Sequence, residues 1–135
     1  MLGLLVDSNI LLDVFTDDPV WGNWSESTLD RYSATHSLYI NSVVYSEISI
    51  GFARIEELEE VLAEGGIAMR PIPKEALFLA GKVFLQYRRA KGNKRSPLPD
   101  FYIGAHAAVE GMALLTRDVA RFQSYFPSVD VISPK

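Results

Sequence analysis

The chain contains no cysteine, so disulfides and thiolate metal sites are excluded, and its chemistry suits a reducing cytoplasm, the expected location. Two histidines, His36 and His106, are too few for a zinc site built on imidazole. Long hydrophobic runs are missing as well. The opening apolar stretch has no basic residue before it and stops at Asp7, which does not match an export signal. Nothing later approaches the ~20 apolar residues of a membrane span. Nor is positive charge in excess: thirteen Lys and Arg face seventeen Asp and Glu, a formal charge of -4, which excludes a uniformly basic nucleic-acid coat. With 48% hydrophobic and 22% charged residues, disorder is excluded too. The length, 135 residues, predicts one domain spanning 1–135 with a sizeable core.

What is present alternates. Short apolar runs at Leu4 to Val6, Leu38 to Ile40, Ile67 to Met69, Ala113 to Leu115 and Val129 to Ile132 predict parallel strands buried on both faces. Between them, helical spacing covers roughly 9–15, 22–34, 43–64 with a break near Gly51, 74–91, 100–111 and 119–125. That order predicts an α/β fold with helices on both faces of the sheet. In such sheets ligands bind beyond the carboxyl ends of the strands, where the strand order reverses.

Four acids fall in places that direct attention there. Asp7 and Asp118 each follow a strand candidate and precede a helix, so each reads either as an N-cap or as a carboxylate projecting from the sheet edge. Glu47 lies among Val43, Val44, Ile48 and Ile50 at helical spacing, either on the border of an apolar stripe or in it, where an unpaired charge costs several kcal/mol. Asp100 opens a helix behind Pro97 and Pro99, and Gly104, Ala107, Ala108 and Gly111 near its face would let that helix pack closely on a neighbour. Converging carboxylates repel one another and raise their pKa values unless a hard divalent cation sits among them. Such an ion activates water and stabilises charge on a phosphoryl group, so convergence would imply metal-assisted phosphodiester hydrolysis.

The segments Leu4-Leu5-Val6-Asp7-Ser8-Asn9, Tyr45-Ser46-Glu47-Ile48, Pro99-Asp100-Phe101-Tyr102-Ile103-Gly104-Ala105-His106-Ala107 and Leu114-Leu115-Thr116-Arg117-Asp118 together resemble the PIN-domain ribonucleases, VapC-type toxins in particular. The resemblance runs from Leu4 to about Ile132. It implies a three-layer α/β/α fold with a central, mainly parallel sheet of four to five short strands. It also implies that Asp7, Glu47, Asp100 and Asp118 surround Mg²⁺ or Mn²⁺, with Asn9 and Thr116 as supporting polar groups, in an endoribonuclease leaving 5'-phosphate and 3'-hydroxyl ends. The partners implied are RNA, a VapB-type antitoxin and a second copy of the chain; a non-catalytic or housekeeping PIN-like module is the alternative.

Against that background, Arg88, Arg89, Lys91, Lys94 and Arg95 form a basic connection leading to Asp100, read either as RNA-phosphate contacts or as a solvated loop. His106 lies about 240° around an ideal helix from Asp100, so it is expected to pack rather than to catalyse. Val20, Trp21, Trp24, Leu29, Tyr32, Ile50, Phe52, Ile55, Leu58, Val61 and Leu62 are read chiefly as core, with an antitoxin groove on these helices as the resemblance's implication.

Overall fold

The computed structural model describes residues 2–90, 92 and 98–134. Five strands, β1 (Leu2–Val6), β2 (His36–Ile40), β3 (Ile67–Met69), β4 (Ala113–Leu115) and β5 (Val131–Ile132), form one sheet in the order β3-β2-β1-β4-β5. Every pairing is parallel. Among the described residues, seven helices flank the sheet: α1 (Ser8–Phe15), α2 (Gly22–Ser33), α3 (Ser42–Ser49), α4 (Ile55–Glu64), α5 (Lys74–Arg89), α6 (Pro99–Glu110) and α7 (Val119–Tyr125). This is the three-layer α/β/α arrangement expected from the alternation of short apolar runs with helical spacing.

The middle strand shows why the runs are continuous. Leu4, Leu5 and Val6 are all fully buried, as consecutive residues can be only when both faces of the sheet are covered. Their register sets Leu4 against Leu38 on one side and Ala113 on the other. The outer strand β3 departs from the expected burial, because it lies at the sheet's edge; Ala68 and Met69 are exposed. Several helical apolar residues expected in the core are also exposed. Ile50, which caps α3 at its C-terminus, is 87% exposed, and Ile55 and Val20 are exposed as well, whereas Leu58 and Leu62 are buried.

Helix boundaries follow local chemistry. The Asn41 side chain accepts from the backbone N–H groups of Val43 and Val44, so α3 starts at Ser42. The expected break after α3 falls at 50–54, and α4 restarts with Glu57 Oε1 accepting from the Arg54 N–H at 3.1 Å. Gly111 ends α6 with φ at 66°, a left-handed cap that a side chain would strain.

Gly104 is where α6 makes its closest approach: a Cβ there would collide with the ring of buried Phe126. Gly104→Ala is therefore expected to destabilise the chain by about 1–3 kcal/mol through overpacking, read as a lower urea midpoint. Phe126→Leu in the same chain should recover part of the loss, whereas an unchanged midpoint for Gly104→Ala alone would show that the ring moves aside freely.

Candidate active site

The strand order reverses at β1. The chain passes from β1 outward through β2 and β3, then returns to the other side for β4 and β5, so the crevice for a ligand opens beyond the carboxyl ends of β1 and β4. Asp7 and Asp118 occupy those two ends. The Asp7 N–H donates to Leu115 O at 2.9 Å, which ties the strand ends together just where the acids begin.

Asp7 is only 4% exposed and is held from several sides. Its Oδ1 accepts from the Ser8 N–H at 2.7 Å and its Oδ2 from the Thr116 hydroxyl at 2.7 Å. The Asn9 amide reaches the same Oδ2 and Thr116 Oγ1, both at 3.4 Å. Thr116 Oγ1 in turn accepts from the Asp118 N–H at 3.0 Å, so one hydroxyl links the two strand ends. Burial pushes the Asp7 carboxyl up to about 6; the bonds from Thr116 and Ser8 resist this, and the charges of Asp100 and Glu47 add to it.

Glu47, on α3, and Asp100, in the first turn of α6, complete the group. Burial raises the Glu47 pKa, opposed by a hydrogen bond from Ser8 and reinforced by Asp100. Burial likewise raises that of Asp100, where the positive charge of Arg121 works against it and the Asp118 carboxylate with it. Electrostatic interactions thus join Asp7 to both Glu47 and Asp100, Glu47 to Asp100, and Asp118 to Asp100. Asp118 stands at the N-cap position of α7 but makes no side-chain capping bond, while Asp7 caps α1 through the Ser8 N–H.

Sequence reasoning overlooked three residues. Asp13, buried in α1, accepts from both Nε and Nη2 of Arg117, at 2.8 and 3.0 Å, and from the Ser25 hydroxyl at 2.8 Å. The Arg117 guanidinium also sits 5.4 Å from the Trp21 ring centre, and the backbone N–H of Arg117 donates to Asn9 Oδ1. Arg117 therefore clamps the segment carrying Thr116 and Asp118 onto α1 and α2. The third is Arg121, whose Nη1 meets Asp100 Oδ2 at 3.0 Å. Asp13 carried a legible signal, an acid inside the apolar helix Leu11-Leu12-Asp13-Val14-Phe15; the two arginines carried none beyond adjacency to Asp118.

His106 packs, as its angle around α6 implied. It is fully buried, and its Nδ1 lies 3.1 Å from Asn41 Nδ2. Because Asn41 Oδ1 already accepts two backbone donors, its amide must donate, which assigns the His106 proton to Nε2. That nitrogen is 3.4 Å from Glu110 Oε1, a weak contact without good alignment, and burial lowers the His106 pKa so that the ring is neutral at pH 7. Arg88 and Arg89 end α5, whereas Lys91, Lys94 and Arg95 lie outside the described residues.

The donor set suits a hard divalent cation: every candidate ligand is a carboxylate oxygen, and Glu47 Oε1 is buried without a hydrogen-bond partner. Among the described residues, no three His, Asp or Glu side chains stand as a closed cage. Thr116 and Arg121 instead engage one oxygen each of Asp7 and Asp100, and the like charges disfavour closer approach.

Comparison with known proteins agrees with this fold. A family model described as PIN domain matches residues 4–125. Among solved structures, the chain is similar to VapBC2 from Rickettsia felis bound to a promoter DNA fragment, at 16% identity, a TM-score of 0.75 and 98% coverage of both chains. It is also similar to a toxin–antitoxin complex from Klebsiella pneumoniae, at 21% identity, 0.67 and 98% of both chains, and to VapBC-1 from nontypeable Haemophilus influenzae, at 17%, 0.70 and 96% of both. None of the functionally curated proteins matches the chain.

Proposed function

The chain belongs to the PIN domain family, and from that premise we propose that it is a Mg²⁺- or Mn²⁺-dependent endoribonuclease acting as the toxin of a VapBC-type pair. The observation that carries the reading is the convergence of four acids, with raised pKa values at three of them, on the crevice where the strand order reverses. Burial of these carboxylates, with their mutual repulsion added, is a standing cost in a free chain and an asset to one that binds a dication.

In this reading Asp7, Asp100, Asp118 and Glu47 hold the ion. When bound, the ion supplies an activated water and offsets the charge that builds on the phosphate. Thr116, Asn9 and the Ser8 N–H keep Asp7 in one orientation, so little rearrangement is needed when a ligand arrives. Glu47, with one buried oxygen free of partners, takes the proton of the attacking water. The new P–O bond leaves a 5'-phosphate as the bond to the 3' oxygen breaks, and that oxygen takes a proton from solvent. His106, buried, neutral and bonded to Asn41, takes no part.

The likeness to toxin–antitoxin complexes supports an antitoxin as the partner that silences the chain. A homodimer and a cytoplasmic location belong to the same proposal; among the described residues no helix is long and apolar enough to cross a membrane. Arg88, Arg89, Lys91, Lys94 and Arg95 are proposed to hold RNA phosphates on the approach to Asp100.

The test is metal removal. Purified chain, free of any partner, is expected to cut single-stranded RNA in Mg²⁺ or Mn²⁺ to 5'-phosphate ends and to lose at least about a hundredfold in rate in EDTA, with recovery on adding Mn²⁺. Undiminished cleavage in EDTA would sink the metal mechanism.

A further inference from the structure

We propose that Arg121 is the phosphate anchor of this site, held on Asp100 in the free chain and transferred to the RNA phosphate beside the bond to be cut, while the hollow next to it takes the flanking nucleotide. The proposal rests on the ribonuclease reading and deepens it.

The two arginines near the acids are built differently. Arg117 is locked: two of its nitrogens bind buried Asp13, and an indole ring lies against it. Arg121 uses a single nitrogen on a single oxygen and is 44% exposed, and among the described residues its Nε and Nη2 have no partner. A guanidinium with most of its donors unused, held by one half-exposed contact, is easily drawn to a better ligand. A phosphodiester is such a ligand, because it offers two oxygens to the planar fork.

Charge makes the transfer directional. Once Asp100 binds a dication, it no longer needs Arg121. The freed guanidinium then remains beside the acids, the right sign to draw in the phosphate that the carboxylates would repel.

The surface beside it has the right form. A hollow of about 360 Å³ is walled by Tyr87, Asp118, Arg121, Ser124 and Tyr125. Its rings are set in advance: Tyr125 packs edge-on against buried Phe101, with centres 5.2 Å apart, and lies 6.5 Å from Tyr87. Aromatic walls with a cation at the mouth are the means by which unstacked nucleotides are held. The hollow thus joins a base-sized apolar wall to a phosphate-binding side chain at the edge of the acid cluster.

The experiment uses the full chain. Binding of fluorescein-labelled single-stranded RNA is followed by anisotropy in Ca²⁺, with gels confirming intact RNA, and Mn²⁺ binding without RNA by calorimetry. Arg121→Gln should weaken RNA binding roughly tenfold and flatten the logarithmic salt dependence by about 0.7, with Mn²⁺ affinity equal to or above that of the wild type. Arg121→Lys should retain the salt dependence. Ser124→Trp, which fills the hollow and leaves all four acids in the chain, should weaken RNA binding and leave Mn²⁺ binding unchanged. If the wild type binds both ligands while Arg121→Gln matches it in RNA affinity and salt dependence, or loses Mn²⁺ binding, the anchor is overturned alone. A wild type that binds neither RNA nor Mn²⁺ overturns the ribonuclease reading and the anchor with it.

Discussion

Asp7→Asn is expected to lower RNA hydrolysis on the order of 10³-fold while making the metal-free chain more stable at pH 7.5. The two effects come from one fact, that Asp7 is buried among other carboxylates. Its pKa is 3.8 in the unfolded chain and about 6 in the folded one. Between those values the folded chain binds more protons than the unfolded chain, so stability falls as pH rises through the window. The cost is absent below pH 3.8 and complete above about pH 6, where it reaches about 3 kcal/mol. Asparagine cannot ionise and so recovers part of it, about 1–2 kcal/mol, since its amide would meet the Asn9 amide less well than a carboxylate does.

The measurement is urea unfolding in EDTA at pH 7.5 and pH 5, beside an RNA cleavage assay in Mn²⁺. The variant's midpoint should exceed that of the wild type at pH 7.5, and the gap should shrink by about 1.4 kcal/mol and so nearly close at pH 5, where wild-type Asp7 is largely protonated when folded. A variant less stable than the wild type at pH 7.5 would mean that Asp7 is held by net favourable contacts. A stable variant that still cuts RNA at the wild-type rate would remove Asp7 from the mechanism.

Much of this fold was legible because the signals are local. The run Leu4-Leu5-Val6 ends at Asp7 in sequence and in space, and Pro99 and Gly111 bracket α6 by backbone chemistry that needs no tertiary context. The interruption near Gly51 was equally visible. Sheet order was not, and with it went the exposure of β3: a three-residue apolar run reads alike in the middle of a sheet and at its edge. Ile50 and Ile55 looked like core because periodicity reports a face and not what covers it. At the site, the acids stand at ends of elements, where position can be inferred, but their cationic partners come from elsewhere in the chain. Arg121 lies 21 residues from Asp100, and Arg117 lies 104 from Asp13, separations over which one sequence contains no pairing information.

The clamp between Asp13 and Arg117 should therefore be the most costly single change away from the four acids. Asp13→Ala removes the acceptor for both guanidinium nitrogens and for the fully buried Ser25 hydroxyl. Breaking a buried pair costs roughly 3–5 kcal/mol, and because Arg117 is 30% exposed and keeps some hydration, about 3 kcal/mol is expected here. In a chain of this size that corresponds to roughly 10 °C in Tm. Activity should fall too, about tenfold, because Arg117 sits between Thr116 and Asp118 and its own N–H is bonded to Asn9. A positioning role has a signature that lost stability alone lacks. At a temperature where both proteins are fully folded, kcat should drop with Mn²⁺ saturating, and Asp13→Asn, which keeps the Ser25 bond and one arginine contact, should fall between Ala and wild type in both properties. The double variant Asp13→Ala with Arg117→Ala should be little worse than Asp13→Ala alone, since the two side chains share one interaction. Additive losses would show instead that the Arg117 side chain serves the site independently of Asp13, through Trp21.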